Sequence, residues 1–478
     1  MSSGLALGSS PGRWLIVATA LGSGLAFLDS TVVNVALPTI RADLGGGLSL
    51  QEWVLDGYLL TLGALLLLGG SLGDRYGRRR IFLLGLAGFS AASLGCGLAP
   101  TSHALVALRA VQGIGAALLV PGSLALINTL IDPAHRGRAI GIWAGLSGVA
   151  TAVGPPLGGW LTQTWSWRWV FFINVPIAAA AAWAARRHLP ESRGRAGSGR
   201  LDVVGGGLTS VGLAAVIFTL IELPLMGWTA LLGATLGGGL ACLAAFVAWE
   251  ARAPAPMLPL SLFRSRQFTG ANVTTLAVYA ALNGAMFLLA LQLQQSLHYS
   301  PTEAGSAMLP ITVLMLVLSP RVGALAQRIG SRLPMTIGPI MAAAGLALMM
   351  RIVPGASYPA AVLPAVVVFG LGLSATVAPL TTAVLGAVSE GRAGVASGTN
   401  NAAARVAGLF AVALLPLLAD VNTGGRALGP GFGRAMLIAA GACVAGGLVA
   451  ALTVPSRRRP AASSAPAAAA AGKRAAAR

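Results

Sequence analysis

A chain of 478 residues in which 56% are hydrophobic and only 9% charged lacks the polar surface of a water-soluble globule, where about a quarter of residues carry charge. Its mean hydropathy of +0.79 points to an all-α, polytopic membrane protein without a soluble domain of any size. A formal charge of +19 suggests nucleic acid in a soluble protein; here the placement of the basic residues along the chain argues against that partner.

Fourteen apolar runs are long enough to cross about 30 Å of hydrocarbon as helices: 14–38, 51–72, 80–98, 104–130, 139–161, 169–187, 203–222, 228–249, 268–293, 304–325, 333–350, 358–387, 395–419 and 434–454. The first is read as a retained span, because it lacks a convincing cleavage site and many further spans follow it. With the N-terminus inside, the cytoplasmic segments collect most of the 32 Lys and Arg, and only Arg41, Arg168, Arg351, Arg426 and Arg434 fall on the outer side, with Arg109 and Arg405 inside spans. That asymmetry obeys the positive-inside rule with both termini cytoplasmic. Most tryptophans, among them Trp14, Trp53, Trp160, Trp165, Trp169, Trp228 and Trp249, sit at span ends, where amphipathic rings favour the headgroup level. Cys96, Cys242 and Cys443 lie in apolar runs far apart and read as small core residues, not as a disulfide or metal set.

An internal repeat organises the spans. "GSLGDRYGRRR" (70–80) and "GALAQRIGSRL" (323–333) match at Gly70/Gly323, Leu72/Leu325, Arg75/Arg328, Gly77/Gly330 and Arg79/Arg332. Span 2 thus answers to span 10, an offset of one six-helix half plus two extra helices, and the architecture is 6 + 2 + 6. The expected divisions are a cytoplasmic N-terminus (1–13), an N-terminal half (14–190), a cytoplasmic linker (191–202), the inserted pair (203–250), a second linker (251–267), a C-terminal half (268–455) and a disordered basic cytoplasmic tail (456–478). Repeated halves around a midplane site are the usual build of secondary transporters.

Several stretches carry a family resemblance. "GSLGDRYGRRR" resembles motif A of the major facilitator superfamily, "LRAVQGIGAA" (108–117) its motif B, and "VGPPLGGW" (153–160) its motif C, the antiporter signature. "LDSTVVNVALP" (28–38) and "WRWVFFINVP" (167–176) are similar to segments of the fourteen-span drug:proton antiporter family. The resemblance covers about residues 14 to 454 and implies the major facilitator fold and an exporter working by exchange, as in multidrug efflux and antibiotic resistance.

Each stretch also has a physical reading. In motif A, Gly70 and Gly77 allow a tight turn and a close approach, while Asp74 offers a carboxylate to a neighbouring helix N-terminus or to Arg78; with Arg75 these form the expected cytoplasmic gate. The repeat has Gln327 in place of the aspartate, which predicts an asymmetric latch. Gly154, Pro155, Pro156, Gly158 and Gly159 have the properties of a helix hinge and a close-packed seal. Arg109 lies about six residues, roughly 9 Å, below the outer end of span 4 and needs an acidic neighbour or a wet cavity. Asp29 and Asp56 lie at similar depth, roughly 13 Å and 8 Å down spans 1 and 2. A buried carboxyl favours its proton and a nearby arginine favours release, so Asp29, Asp56 and Arg109 are the expected proton-coupling set.

Asn34, Glu222, Asn283, Gln292, Gln294, Asn401 and Arg405 are the expected cavity residues, with Glu222 alternatively an interface anchor and the Asn401/Arg405 pair alternatively an interhelical clasp. The expected function is a proton-coupled antiporter exporting lipophilic, cationic drugs from the cytoplasm. It would be a monomer in the plasma (inner) membrane of a bacterium, surrounded by lipid, with no cofactor, no metal and no nucleic-acid partner. A dedicated exporter of one endogenous metabolite or antibiotic is the alternative. An intramembrane enzyme is disfavoured because His103, His135, His188 and His298 fall in loops or at span ends with no catalytic or metal-ligand cluster, and the antiporter motif disfavours a channel.

Overall fold

The computed structural model describes residues 5–132, 135–193, 202–254, 256–388, 392–421 and 428–456, apart from the side chain of residue 393. The expected disordered tail lies outside the described residues, apart from Ser456, as do parts of the N-terminus and of both linkers. Among the described residues fourteen helices are long and apolar enough to cross a membrane: α1 (Ser10–Leu44), α2 (Leu48–Tyr76), α3 (Arg78–Leu98), α4 (Ser102–Leu130), α5 (Arg136–Thr164), α6 (Trp169–His188), α7 (Val203–Met226), α8 (Ala230–Glu250), α9 (Arg266–Gln295), α10 (Pro301–Ile329), α11 (Arg332–Met349), α12 (Tyr358–Gly386), α13 (Gly394–Leu418) and α14 (Gly429–Thr453). With an even number of crossings, the start of α1 and the end of α14 lie at one end of the bundle. The motif A segment and its repeat lie there too, so it is called the basic end.

Local chemistry sets the helix ends. Thr101, Thr229 and Ser265 each accept a backbone N–H of the first turn, and Ser300 with Glu303 forms a reciprocal capping box at the start of α10, satisfying donors that have no intrahelical partner. Gly77 and Gly330, the paired positions of the repeat, have φ of 110° and 92°, a region that side-chain-bearing residues avoid. The helices overrun the apolar runs. α1 continues six residues past Pro38 because its polar tip is held from outside, with Asp43 accepting bonds from Trp167 Nε1 at 2.8 Å and Arg168 at 2.7 Å. α6 is interrupted at Ile173, between Trp169–Phe172 and Asn174–His188.

Helix pairings repeat between halves: α1 on α5, α2 on α4 and α3 on α4 in the first correspond to α9 on α13, α10 on α12 and α11 on α12 in the second. The inserted α7 packs on α2 and α13 at the junction of the halves, and α8 packs on α7. The largest apolar core unites both halves at the end opposite the basic one, from Val32–Ile40 of α1 and Val170–Phe171 of α6 to Phe287–Leu293 of α9 and Ala304–Ile311 of α10.

That far end is sealed. Gln294 Nε2 of α9 donates to the Val35 carbonyl of α1 at 3.0 Å, and the Thr302 N–H meets Gln163 Oε1 at 3.4 Å. A Cβ added at Gly159 of α5 would collide with the Pro301 carbonyl, and one at Gly305 of α10 with that of Pro155. Toward the basic end the same two helices part. Gly137, Gly141, Gly145 and Gly148 of α5 have no neighbour within 4 Å of an added Cβ, and Val313, Leu316, Val317 and Leu325 of α10 are exposed. The bundle is closed at one end and splayed at the other.

Candidate functional site

Asp29 and Arg109, both 0% exposed, face each other inside the first half. Arg109 Nη1 donates to Asp29 Oδ2 at 2.5 Å, and Gln112 Nε2 and Asn174 Nδ2 each donate to Oδ1 at 2.9 Å. Arg109 also donates through Nε to the Val54 carbonyl at 2.8 Å and through Nη1 to Gln112 Oε1 at 2.7 Å. Its guanidinium lies 4.4 Å from the Tyr58 ring centre and 5.7 Å from that of Phe171. Ser93 closes the network, accepting from Gln112 at 3.0 Å and from Asn174 at 2.9 Å and donating to the Phe171 carbonyl at 3.0 Å. An acceptor-only carboxylate ringed by three donors is the arrangement an ionised aspartate requires. Breaking such a buried pair from one side costs about 3–5 kcal/mol.

The break in α6 places Asn174 at the first turn of its second segment, within reach of Asp29. Gln112 stands one helical turn from Arg109 on α4, on the same face. Sequence reasoning named neither, nor Ser93, although Gln112 and Asn174 lie within the stretches "LRAVQGIGAA" and "WRWVFFINVP". Their signal was a side-chain amide with no local reason to be in an apolar span.

Asp56 does not join this set. Of the expected coupling set only Asp29 and Arg109 are in contact: Asp56 is 0% exposed, and neither carboxyl oxygen has a hydrogen-bond partner among the described residues. Its electrostatic neighbour is Glu52, one turn away on α2, which in turn is within reach of Glu222 on α7. An unpaired buried ion is far more costly than a neutral acid, so this environment suits the protonated form. Glu222 is part-exposed and accepts a bond from Trp53 Nε1 at 2.9 Å, tying the inserted pair to α2.

Motif C is the seal between three helices. Gly154 and Gly158 lie against Thr31 and Val32 of α1, two and three residues past Asp29, with the Gly158 Cβ position 2.5 Å from the Val32 carbonyl oxygen. Gly159 and Pro155 face α10. Both prolines are accommodated within a continuous α5.

At motif A, Arg78 holds Asp74 at 2.7 Å and also donates to Thr129 Oγ1 of α4. The alternative partner expected for Asp74, a neighbouring helix N-terminus, is taken by another residue: Glu191 accepts from the backbone N–H groups of Arg79 at 3.0 Å and Arg80 at 3.1 Å at the start of α3. Arg79 reaches the Leu189 carbonyl at 2.6 Å, so the chain leaving α6 is clasped to motif A. Gly70 makes ordinary contact with Pro121, whereas its neighbour Gly69 lies directly on the Ala117 carbonyl; the close approach to α4 belongs to Gly69. Arg75 is exposed, its guanidinium 5.4 Å from the Tyr76 ring centre.

The remaining expected cavity residues divide. Gln292 is 2% exposed and bonds to the Ile352 carbonyl at 2.7 Å and to Ser296 at 2.9 Å, both within the second half. Gln294 belongs to the far seal. Asn34, Asn283 and Asn401 are part-exposed and donate to carbonyls one turn back, of Ser30 at 3.3 Å, Tyr279 at 2.8 Å and Ser397 at 3.0 Å. The neighbouring Asn400 is the interhelical clasp, bonding Thr275 at 2.6 Å and Asn272 at 3.3 Å on α9. Arg405, midway along α13, has its guanidinium 5.1 Å from the Phe27 ring centre of α1. An arginine at such depth costs at least about 2.5 kcal/mol unless paired or wetted.

The family model for the Major Facilitator Superfamily matches residues 19–412 and 271–477. The chain belongs to the major facilitator superfamily. It is 38% identical over 426 residues to the puromycin resistance protein pur8 of Streptomyces alboniger, covering 88% of this chain and 84% of that one. It is 35% identical over 412 residues to the tetracenomycin C resistance and export protein of Streptomyces glaucescens, covering 86% and 76%. The inward-open xylose transporter XylE of E. coli shares the fold at a TM-score of 0.65 and 15% identity, over 93% of this chain and 96% of that one. This superfamily member is a transporter and not an enzyme, a multi-pass inner-membrane protein of the antibiotic-efflux type.

Proposed function

We propose that the protein is a proton-driven exporter of lipophilic antibiotics, working as a monomer without a cofactor, with the basic end and both termini in the cytoplasm. The observation that carries this reading is the contrast between two enclosed carboxyls of one half: Asp29 held by Arg109 and two amide donors, Asp56 without a hydrogen-bond partner among the described residues. In the conformation open at the basic end Asp56 holds the transported proton. Loading of substrate from the cytoplasm discharges that proton to the cytoplasmic side; parting of the α5–α10 and α1–α9 seal then exposes the site outward, where substrate leaves and Asp56 takes up the next proton. Asp29 sits two residues before the motif C seal, so the same movement loosens its donors and lets it exchange its partner for a proton.

The names of the relatives support antibiotics as the substrate class: two are resistance proteins to a single antibiotic, puromycin and tetracenomycin C, and a third is a multidrug resistance protein. The expected preference for cations rested on Asp29 and Asp56 attracting the substrate, and neither carboxylate is exposed. A pH gradient supplies about 1.4 kcal/mol per unit for each proton, and membrane potential about 2.3 kcal/mol per 100 mV for each net charge moved. The test is proton flux measured together with export of puromycin and tetracenomycin C in proteoliposomes. Export that follows an imposed pH gradient and fails in Asp56→Asn supports the reading; export indifferent to the gradient overturns it.

A further inference from the structure

Arg405 is a charge that the fold leaves unanswered. Among the described residues its side chain forms no hydrogen bond and no ion pair, and its recorded neighbours are the Phe27 ring and, within electrostatic reach, the hydroxyls of Tyr58 and Tyr279. Three helices from both halves surround it: Phe27 on α1, Gly63 on α2, whose Cβ position lies 3.4 Å from Arg405 Cβ, and Tyr279 on α9. Yet the side chain remains part-exposed, so its free surface opens on the internal space between the halves. The available acids do not neutralise it. Asp29 has its oxygens committed to Arg109, Gln112 and Asn174, and Asp56 is enclosed beside Glu52.

A guanidinium left unpaired at this depth is retained where a ligand supplies the counter-charge. Its planar fork recognises carboxylates and other delocalised anions, and its face stacks on rings. The wall beside it is aromatic, and the nearby asparagine amides already spend a donor on their own helices. We propose that Arg405 is the counter-ion for the transported substrate, and that the protein exports planar aromatic acids whose anionic group pairs with Arg405 while the ring system lies against Phe27. This deepens the efflux reading and rests on it. It also changes the coupling: exchange of one proton inward for one monovalent anion outward moves two charges in the same sense, whereas exchange for a monovalent cation moves none.

Two xanthene dyes of similar shape and opposite charge test this on the full-length protein, fluorescein as the anion and rhodamine 123 as the cation. Binding is read by fluorescence polarisation in detergent, independently of transport. The native protein is expected to bind fluorescein at least about tenfold more tightly than rhodamine 123. Arg405→Gln is expected to lose at least about tenfold for fluorescein, with rhodamine 123 unchanged or tighter and Arg405→Lys intermediate. A wild-type preference for rhodamine 123, no fluorescein binding, or equal fluorescein binding by Arg405→Gln overturns the proposal. Retained fluorescein selectivity with no gradient-driven export in liposomes would instead count against the proton-driven reading and leave the charge preference intact.

Discussion

Asp29 and Asp56 are buried acids of one six-helix half, on adjacent helices and at comparable depth, and the fold treats them in opposite ways. Asp29 is given an arginine, two amides and a serine behind them; Asp56 is given no hydrogen-bond partner among the described residues. The first arrangement stabilises an ion and the second a neutral acid, because in low dielectric a charge without compensation is the costlier state. Depth alone therefore does not make a proton site. The supply of donors decides which carboxyl holds a proton in a given conformation.

The largest way to break that contrast is to remove the arginine. Arg109→Met leaves the Asp29 carboxyl without its counter-charge, with only the Gln112 and Asn174 amides as donors, and is expected to destabilise the detergent-solubilised protein by about 3–5 kcal/mol, seen as a lowered unfolding temperature. Adding Asp29→Asn to it is expected to restore most of that loss, since the orphaned charge is then gone; no recovery in the double variant would mean that the pair is not a closed electrostatic unit.

Asp56→Asn sharpens the other side. Replacing a neutral acid by a neutral amide of the same shape is expected to change stability by no more than about 1–2 kcal/mol, while gradient-driven export falls by at least about tenfold within the range of a lost acid–base group. Parallel unfolding and flux assays separate the two effects.

A third variant acts on the seal that links Asp29 to the outside. Gly158→Val forces a branched side chain against the Val32 carbonyl, an overpacking worth about 1–3 kcal/mol. It is expected to shift the population toward the conformation parted at the far end, read as increased labelling of a cysteine introduced at Gln163. The smallest effect is expected at the basic end. The Asp74–Arg78 pair is part-exposed, at 41% and 14%, and exposed pairs contribute about 0–1 kcal/mol. Asp74→Asn is accordingly expected to leave thermal unfolding nearly unchanged and to alter transport rate instead.

Much of this fold was legible because a membrane imposes a length on every helix: the fourteen spans, their parity and the repeat at Gly77 and Gly330 all followed from hydropathy and glycine placement. The pairing of Asp29 with Arg109 was foreseeable from shared depth. Depth could not separate Asp56 from them, because helix rotation is set by packing, and α2 offers Arg109 the backbone carbonyl of Val54 and not the Asp56 carboxyl, which lies one turn along from Glu52 on the same helix. Glu191 escaped notice because its partners are backbone N–H groups at the start of α3, which no residue pattern advertises. Gln292 looked like a cavity residue for the converse reason, its amide being absorbed by the Ile352 carbonyl.

Infrared absorption of protonated carboxyl groups tests the division of roles most directly. At neutral pH the wild-type protein, held in the state open at the basic end, is predicted to show, beside the absorption of the buried Glu52, a carboxylic acid C=O band that disappears in Asp56→Asn and persists in Asp29→Asn. A band that persists in Asp56→Asn and vanishes in Asp29→Asn would contradict the account.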